Sequence, residues 1–379
     1  MFKRYQLRSY NFRLVILLVA TTIFGIVLIN SADSSFTMKQ CLGLILSLAA
    51  MVVVSFIDYK WMMKFYWLMY FVNIGLLLAV KFFGKSSHGA KRWIDLRIFQ
   101  LQPSELTKII LILFTAKLIF LYKDKLNTWK FLAVLAILLA IPLALILTQP
   151  NLSTTILIVM ILLTIIFCAG LSYKIIGISL LILVPLVVCG TIYISNPNQK
   201  LLEDYQRKRI MAFLQPEKYD DTAWQQEMSE KAIGSGQLSG KGLNNDDPSS
   251  LNNANYIPEA QTDFIFTIIG EELGFVGSTV AIVLLMWITF ECVLAAIKAK
   301  DFMARLICCG VAAWIAFQSF INVGVATRLL PNTGLPLPFF SYGLTSLVSL
   351  YIAMGIILNI SMKRNIQQDE EIYSLDFKG

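Results

Sequence analysis

Long apolar segments separated by short polar connections run along nearly the whole chain. Each segment is about 20 residues long, the length that an α-helix needs to cross the hydrocarbon core of a bilayer. Open sheets cannot satisfy their backbone in lipid, and the segments lack the alternating pattern of transmembrane strands. The pattern predicts an all-α, polytopic membrane helix bundle of about ten transmembrane helices. The predicted spans are residues 13–30, 40–57, 61–82, 104–122, 131–148, 152–170, 174–195, 264–297, 303–327 and 341–361.

Composition agrees with a membrane protein. Of the 379 residues, 57% are apolar and 15% are charged, which is far more apolar content than one soluble core requires. The one long polar segment, residues 197–263, lies between the seventh and eighth predicted spans. We therefore predict a single integral membrane domain, residues 1–379, with one large loop inside it.

Basic residues in short loops predict the orientation of the bundle. Lys3, Arg4, Arg8 and Arg13 precede the first span and place the N-terminus in the cytoplasm. Ten spans return the C-terminus to the same side and make the 197–263 loop extracytoplasmic. No cleavable signal peptide is expected, because the first apolar run is long and more spans follow it.

One short external connection breaks the charge rule. Its basic residues are Lys81, Lys85, Lys91, Arg92, Arg97 and Lys108, against Asp95 and Glu105. Such a surplus indicates either an anionic external partner or an interfacial segment whose long side chains reach the lipid headgroups.

Several kinds of chemistry find no support in the sequence. His88 is the only histidine, which argues against a Ser-His-Asp site or a histidine-ligated zinc. The six cysteines all fall in predicted spans without metal-ligand spacing. The net charge of +8 is spread over the loops, so nucleic acid is not indicated as a partner. Residues 234–242 are glycine-rich but do not match a nucleotide-binding pattern, and flexible turns are expected there.

Ionisable side chains at membrane depth are costly unless they are paired or hydrated. Glu105 and Lys108 stand three residues apart and can form an ion pair on one helical face, either as helix packing or as part of a site. Glu271 and Glu272 lie inside the eighth span, and at least one of them should face the bundle interior or a wet cavity.

Asp263 stands where the long loop meets the eighth span. A carboxylate at a membrane boundary can act on a lipid-borne substrate, but Thr262 and Asp263 are also good N-cap residues, and capping is the simpler explanation. Residues 328–343 are apolar yet hold three prolines, which predicts a buried or re-entrant loop. Gln318 and Asn322 could hydrogen-bond across helices.

Taken together, five sequence blocks resemble the SEDS family (shape, elongation, division and sporulation). They resemble its RodA-like members more than its FtsW-like members. The blocks are Gly89–Asp95 with Gln102–Lys108, Tyr205–Pro216, Ala232–Gly236 with Gly240–Gly242, Pro258–Gly274 and Leu329–Gly343. The resemblance covers essentially the whole chain. It implies an inverting peptidoglycan glycosyltransferase that polymerises lipid II into glycan strands on the outer face of the bacterial cytoplasmic membrane, for cell-wall elongation and cell shape.

The resemblance also implies roles for particular residues. Asp263 would be catalytic, either as general base or as ligand of a divalent cation such as Mg²⁺ or Mn²⁺, with no organic cofactor. The substrate-binding residues would be Lys91, Arg92, Glu105, Lys108 and Arg209, and the supporting residues Gln102, Ser104, Glu259, Thr262, Glu271 and Ser341. Its partners would be lipid II, membrane lipid and a class B penicillin-binding protein with transpeptidase activity.

Three alternatives stay open on the sequence. The chain could be a division or sporulation polymerase of the same family. A lipid II flippase would also need a multi-helix bundle with buried charges and a proline-broken loop. A non-catalytic scaffold for other cell-wall proteins would tolerate the neutralisation of Asp263.

Overall fold

The computed structural model describes residues 10–87, 90–95, 100–179, 181, 185, 193, 204–215, 218, 220–244 and 260–362. The first part of the chain forms helices α1 (Phe12–Ala32), α2 (Thr37–Phe56), α3 (Tyr59–Met62), α4 (Tyr66–Phe83), α5 (Pro103–Leu121), α6 (Trp129–Leu147) and α7 (Leu152–Cys168). The second part forms α8 (Asp204–Leu214), α9 (Asp220–Ser235), α10 (Ile265–Lys298), α11 (Phe302–Ala326) and α12 (Leu344–Ser361).

The predicted helical membrane bundle is confirmed. Seven helical stretches among the described residues are long and apolar enough to cross a membrane, and α7 is a shorter apolar helix. α5 has 19 residues and carries Glu105, Lys108 and Lys117, and most of its side chains are buried by its neighbours. The predicted span 174–195 falls largely outside the described residues.

A small antiparallel sheet joins α4 to α5. Its strands are β1 (Lys85–Ser87), β2 (Ala90–Asp95) and β3 (Gln100–Leu101), in the order β1-β2-β3. Ile94 pairs with Leu101 and Asp95 pairs with Gln100. The apolar pattern did not predict this sheet, because its strands are too short to give a periodic signal. It brings the start of α5 back to the bundle.

α5 and α11 form the centre of the bundle, and α7 packs against both. Gly310 of α11 lets the helices approach closely, since a Cβ there would lie 2.7 Å from a side-chain carbon of Ile165 and 2.8 Å from one of Ile112. Small residues commonly permit such contacts in membrane helices. Trp314, one turn further along α11, is fully buried.

α10 is broken at Gly274, whose φ of 63° and ψ of −156° are not helical. The loop that follows α9 replaces the hydrogen bonds lost at the break. The N–H groups of Lys241 and Gly242 donate to the carbonyls of Glu271 and Glu272 at 3.0 and 2.9 Å. In the other direction, Phe275 N–H donates to the carbonyl of Gln237 at 2.8 Å. The break is thus satisfied by protein, as a membrane interior requires.

The glycines of this loop do more than the flexible turns expected from the sequence. A Cβ on Gly236 would lie 1.9 Å from the carbonyl oxygen of Gly270, and one on Gly240 would lie 2.1 Å from that of Glu272. Gly240 also has a φ of +78°, which side chains disfavour. The expectation is therefore corrected for Gly236 and Gly240, which are needed for close backbone contact with the broken helix.

We predict that Gly236→Ala destabilises the protein by about 1 to 3 kcal/mol, because the added methyl group collides with backbone that cannot move away easily. Gly234→Ala is the matched control, since a Cβ at Gly234 meets nothing within 4 Å. Thermal unfolding in detergent measures both variants. Equal melting temperatures for the two would contradict the proposed packing.

Candidate functional site

Asp263 lies in the turn that leads into α10. The side chains of Gln261, Thr262 and Asp263 are all partly exposed, whereas Phe264 and the residues after it are buried. The N-cap position of α10 is occupied by Phe264, whose side chain cannot cap. Neither Thr262 nor Asp263 therefore caps the helix from the N-cap position, and the simpler explanation of this carboxylate loses its support.

The backbone of this turn is held on two sides. Asn322 of α11 donates from Nδ2 to the carbonyl oxygens of Asp263 and Leu335, at 2.7 Å each. Tyr342 N–H donates to the carbonyl of Gln261 at 2.9 Å. These contacts fix the position of Asp263 relative to α11 and to residues 328–343.

Residues 328–343 form the buried loop that the prolines predicted. Leu335, Leu337, Phe339 and Phe340 are almost completely buried. Gln318 donates from Nε2 to the carbonyl of Pro336 at 2.7 Å, so Gln318 and Asn322 both bind this loop from one face of α11. The hydroxyl oxygen of Ser341 accepts a hydrogen bond from Leu337 N–H at 2.7 Å, which shows Ser341 supporting the loop.

The predicted ion pair between Glu105 and Lys108 is present, with Lys108 Nζ at 2.8 Å from Glu105 Oε1 and both side chains buried. Lys108 also donates to Gln318 Oε1 at 3.0 Å. Its ammonium lies 4.7 Å from the ring centroid of Trp314, a cation–π distance. The Lys108 ammonium is thus bound by Glu105, Gln318 and Trp314.

Several polar atoms around this pair are buried and have no hydrogen-bond partner in the part of the chain that the structure describes. They are Glu105 Oε2, Ser104 Oγ, Asn73 Nδ2 and Asn322 Oδ1. Buried polar atoms are normally satisfied, so a group of unsatisfied ones marks a place where water or a polar ligand can bind. The interior between α5 and α11 is polar in character.

The Glu105–Lys108 pair and the backbone of Asp263 both contact the same face of α11. Gln318 and Asn322 are four residues apart on this helix, so they share a face. Gln318 contacts Lys108, and Asn322 contacts the backbone of Asp263. The structure thus connects the predicted catalytic carboxylate to the buried pair through two side chains that the sequence indicated only as interhelical contacts.

Arg92 lies on β2 and reaches the turn between α6 and α7. Its Nε donates to the carbonyl of Gln149 at 3.3 Å, and its Nη2 donates to the carbonyl of Pro150. Gln102 is the N-cap residue of α5, and its N–H donates to Thr345 Oγ1 at 3.4 Å. Arg92 and the start of α5 are thereby attached to the bundle.

Two other predicted residues are located only in part, and a third is not described. Lys91 lies on β2 and Arg209 on α8, but their side chains are outside the described residues. Glu259 falls outside the described residues altogether.

Glu271 and Glu272 are both buried, as expected of at least one of them. Lys241 Nζ lies 2.9 Å from Glu271 Oε1, and Ser31 Oγ donates to Glu272 Oε1 at 2.7 Å. The sequence did not indicate Lys241 as the partner of Glu271 or Ser31 as the partner of Glu272, because both partners are distant along the chain. Glu271 thus binds, through Lys241, the loop that donates hydrogen bonds to the broken helix.

A cation would have few protein ligands at this site. Among the described residues, no group of three or more His, Cys, Asp or Glu side chains could hold a metal ion. Mg²⁺ is often bound by one or two carboxylates together with substrate phosphates. A single Asp263 fits that arrangement and does not fit an all-protein cage.

The chain matches the family model for FtsW, RodA and SpoVE, described as cell cycle protein, over residues 4–366. It is 33% identical over 381 residues to the probable peptidoglycan glycosyltransferase FtsW of Geobacter metallireducens, covering 94% of this chain and 96% of the relative. It is 32% identical over 358 residues to the peptidoglycan glycosyltransferase MrdB of Escherichia coli K12, covering 93% and 94%.

Solved structures share the fold. One, described as showing structural coordination of polymerization and crosslinking by a peptidoglycan synthase complex, has a TM-score of 0.79 and 28% identity, covering 93% of this chain and 97% of the other. The crystal structure of the rod shape determining protein RodA from Thermus thermophilus has a TM-score of 0.67 and 25% identity, covering 94% and 98%.

We predict that Glu105→Gln or Lys108→Met alone destabilises the protein by about 3 to 5 kcal/mol, because each leaves an unpaired buried charge. The double variant should lose much less than the sum of the two. Thermal unfolding of all four proteins gives the coupling. Additive losses would show that the two charges do not stabilise each other.

Proposed function

Since the chain belongs to the FtsW, RodA and SpoVE family and is a peptidoglycan glycosyltransferase, we propose that it polymerises lipid II at the end of the bundle that carries Asp263. We further propose that this end faces the outside of the cytoplasmic membrane and that both termini lie in the cytoplasm. The surplus of basic residues in the other short loops supports this orientation.

The reaction joins two lipid-linked disaccharides. A sugar hydroxyl of one attacks the anomeric carbon of the other, a new C–O bond forms there, and the bond to the lipid pyrophosphate breaks. The hydroxyl proton passes to Asp263, and the pyrophosphate leaves with the bonding electron pair. Attack from the face opposite the leaving group converts an α-linked donor into a β-linked glycan, which makes the reaction inverting.

The position of Asp263 is the observation that carries this proposal. Its side chain is partly exposed while its backbone is fixed by Asn322 at 2.7 Å. A general base must be accessible to the hydroxyl and yet held in place, since small displacements of a catalytic group reduce the rate strongly. The turn before α10 provides both properties.

The buried pair would act beside Asp263. Glu105 Oε1 binds Lys108, whereas Glu105 Oε2 has no partner among the described residues and can accept a hydrogen bond from a substrate hydroxyl. In this proposal Lys108 holds the Glu105 side chain in its orientation, and Lys108 approaches substrate only if the pair opens.

Cationic side chains near the start of α5 and in the large loop would neutralise the pyrophosphate. Arg92 and Arg209 carry guanidinium groups, which can bind two phosphate oxygens at once, and Lys91 would add a point charge. To bind the pyrophosphate in this way, Arg92 would exchange its hydrogen bonds to the carbonyls of Gln149 and Pro150 for phosphate oxygens. In its alternative role Asp263 would hold a divalent cation instead of accepting the proton, and the cation would supply neutralising charge.

We propose a class B penicillin-binding protein as the partner, because the structure described as a peptidoglycan synthase complex shares this fold with a TM-score of 0.79. Both FtsW and MrdB relatives match along almost the whole chain, so they do not distinguish the branches. Motifs around Arg92 and Arg209 favour the elongation role.

We predict that Asp263→Ala abolishes glycan polymerisation by the purified protein supplied with lipid II, because the variant lacks the carboxylate that takes the hydroxyl proton. Glu230→Ala is the matched control, since this carboxylate is exposed and lies 3.2 Å from Arg328 at the surface. Glycan chain length on gels gives the activity, and thermal unfolding checks that both variants remain folded.

Undiminished polymer from folded Asp263→Ala protein would disprove the assignment of Asp263. Movement of lipid II across vesicle membranes without any polymer from the wild type would instead favour the flippase.

A fluorescent fusion tests the elongation role separately. We expect the protein along the sidewall of growing rod-shaped cells, where new strands lengthen the cell. Confinement to the division septum would assign it to division.

A further inference from the structure

A cavity lies at the end of the bundle opposite Asp263. It has a volume of about 980 Å³ and is lined by residues from the start of α1, the start of α3, the end of α10, the start of α11 and the end of α12. α10 runs from the Asp263 turn at one end to Lys298 at this cavity, so the two places are separated by the length of the helix. The cavity is not part of the glycosyltransferase site.

The lining carries more basic than acidic side chains. Its charged residues are Arg13, Lys60, Lys298, Lys300, Glu291 and Asp301. Both acids are engaged by protein groups. Glu291 accepts a hydrogen bond from Asn11 Nδ2 at 2.8 Å. Asp301 lies 3.1 Å from Lys60 Nζ and accepts from the hydroxyl of Tyr59 at 2.8 Å.

The charge that remains in the cavity is positive. Burial alone would raise the pKa of Asp301, but hydrogen bonds from Tyr59 and Lys60 outweigh it and hold that pKa below its ordinary value. Arg13 and Lys298 are exposed, and neither has an ion-pair or hydrogen-bond partner among the residues that the structure describes. These two cations are available to an anionic ligand.

The surroundings of the cavity are apolar and face lipid. On α1, Phe12 and Ile16 are 64% and 66% exposed and lie on one face. On α10, Phe290 and Ile297 are 56% and 69% exposed, and Ile297 is next to Lys298. A ligand with a charged head and hydrocarbon chains would match both parts of this surface, whereas a free anion would use only the cations.

We propose that this cavity binds the headgroup of an anionic phospholipid, with Arg13 and Lys298 holding the phosphate and the acyl chains lying along α1 and α10. Basic pockets between transmembrane helices are suited to such headgroups. The ligand would connect α1, α10 and α12 at the end of the bundle remote from Asp263.

Native mass spectrometry of the full-length protein titrated with phosphatidylglycerol tests the proposal without using polymerase activity. We expect the double variant Arg13→Gln with Lys298→Gln to weaken binding at least about tenfold, because each cation near the headgroup contributes to the attraction. The matched control is Lys125→Gln with Lys130→Gln, which removes two exposed cations at the same end but outside the cavity. Its binding should equal that of the wild type.

Two further binding measurements distinguish an anionic lipid from the other possible ligands. Phosphatidylcholine with the same acyl chains should bind at least about tenfold more weakly, and glycerol phosphate should not displace the lipid at equal concentration. Equal weakening in both double variants would overturn the proposal in favour of non-specific charge attraction. Displacement by glycerol phosphate would overturn it in favour of a soluble anion.

Discussion

The need to satisfy every backbone polar group inside a membrane is the constraint on which this structure depends. α10 breaks at Gly274, and α11 packs against a loop with three prolines. Neither feature would survive in lipid without hydrogen-bond partners from elsewhere in the chain. The loop after α9 supplies them at the break, and Gln318 and Asn322 supply them to the proline-rich loop.

The contacts that satisfy the backbone at these two places also position Asp263. The described part of the large loop between the seventh and eighth predicted spans packs against the bundle, where Gln226 of α9 donates to the carbonyls of Val325 and Leu330 at 3.0 and 2.8 Å. The same loop binds the broken helix through Gly236 and Lys241. Asp263 stands at the junction of these contacts, so its position follows from the packing of the loop against the bundle.

The sequence predicted the long helices well, because a run of about twenty apolar residues is the length that a membrane-spanning helix needs. It also predicted the Glu105–Lys108 pair, since partners three residues apart on a helix are neighbours. It could not predict Lys241 with Glu271, or Ser31 with Glu272, because such partners depend on how distant helices meet. The glycines after α9 were misjudged for the same reason, since a single sequence does not show which backbone they will touch. The motif resemblance indicated Asp263, and in the structure Phe264, rather than Thr262 or Asp263, occupies the N-cap position of α10.

We propose that this packing presents the Asp263 carboxylate to the reacting sugar. A structure of the protein bound to a non-reactive lipid II analogue would test this directly. We predict an acceptor hydroxyl within about 2.6 to 3.2 Å of the Asp263 carboxylate, with the sugar or its pyrophosphate also close to Glu105 or Arg92. A bound disaccharide that contacts none of these residues, or that lies at the opposite end of α10, would contradict it.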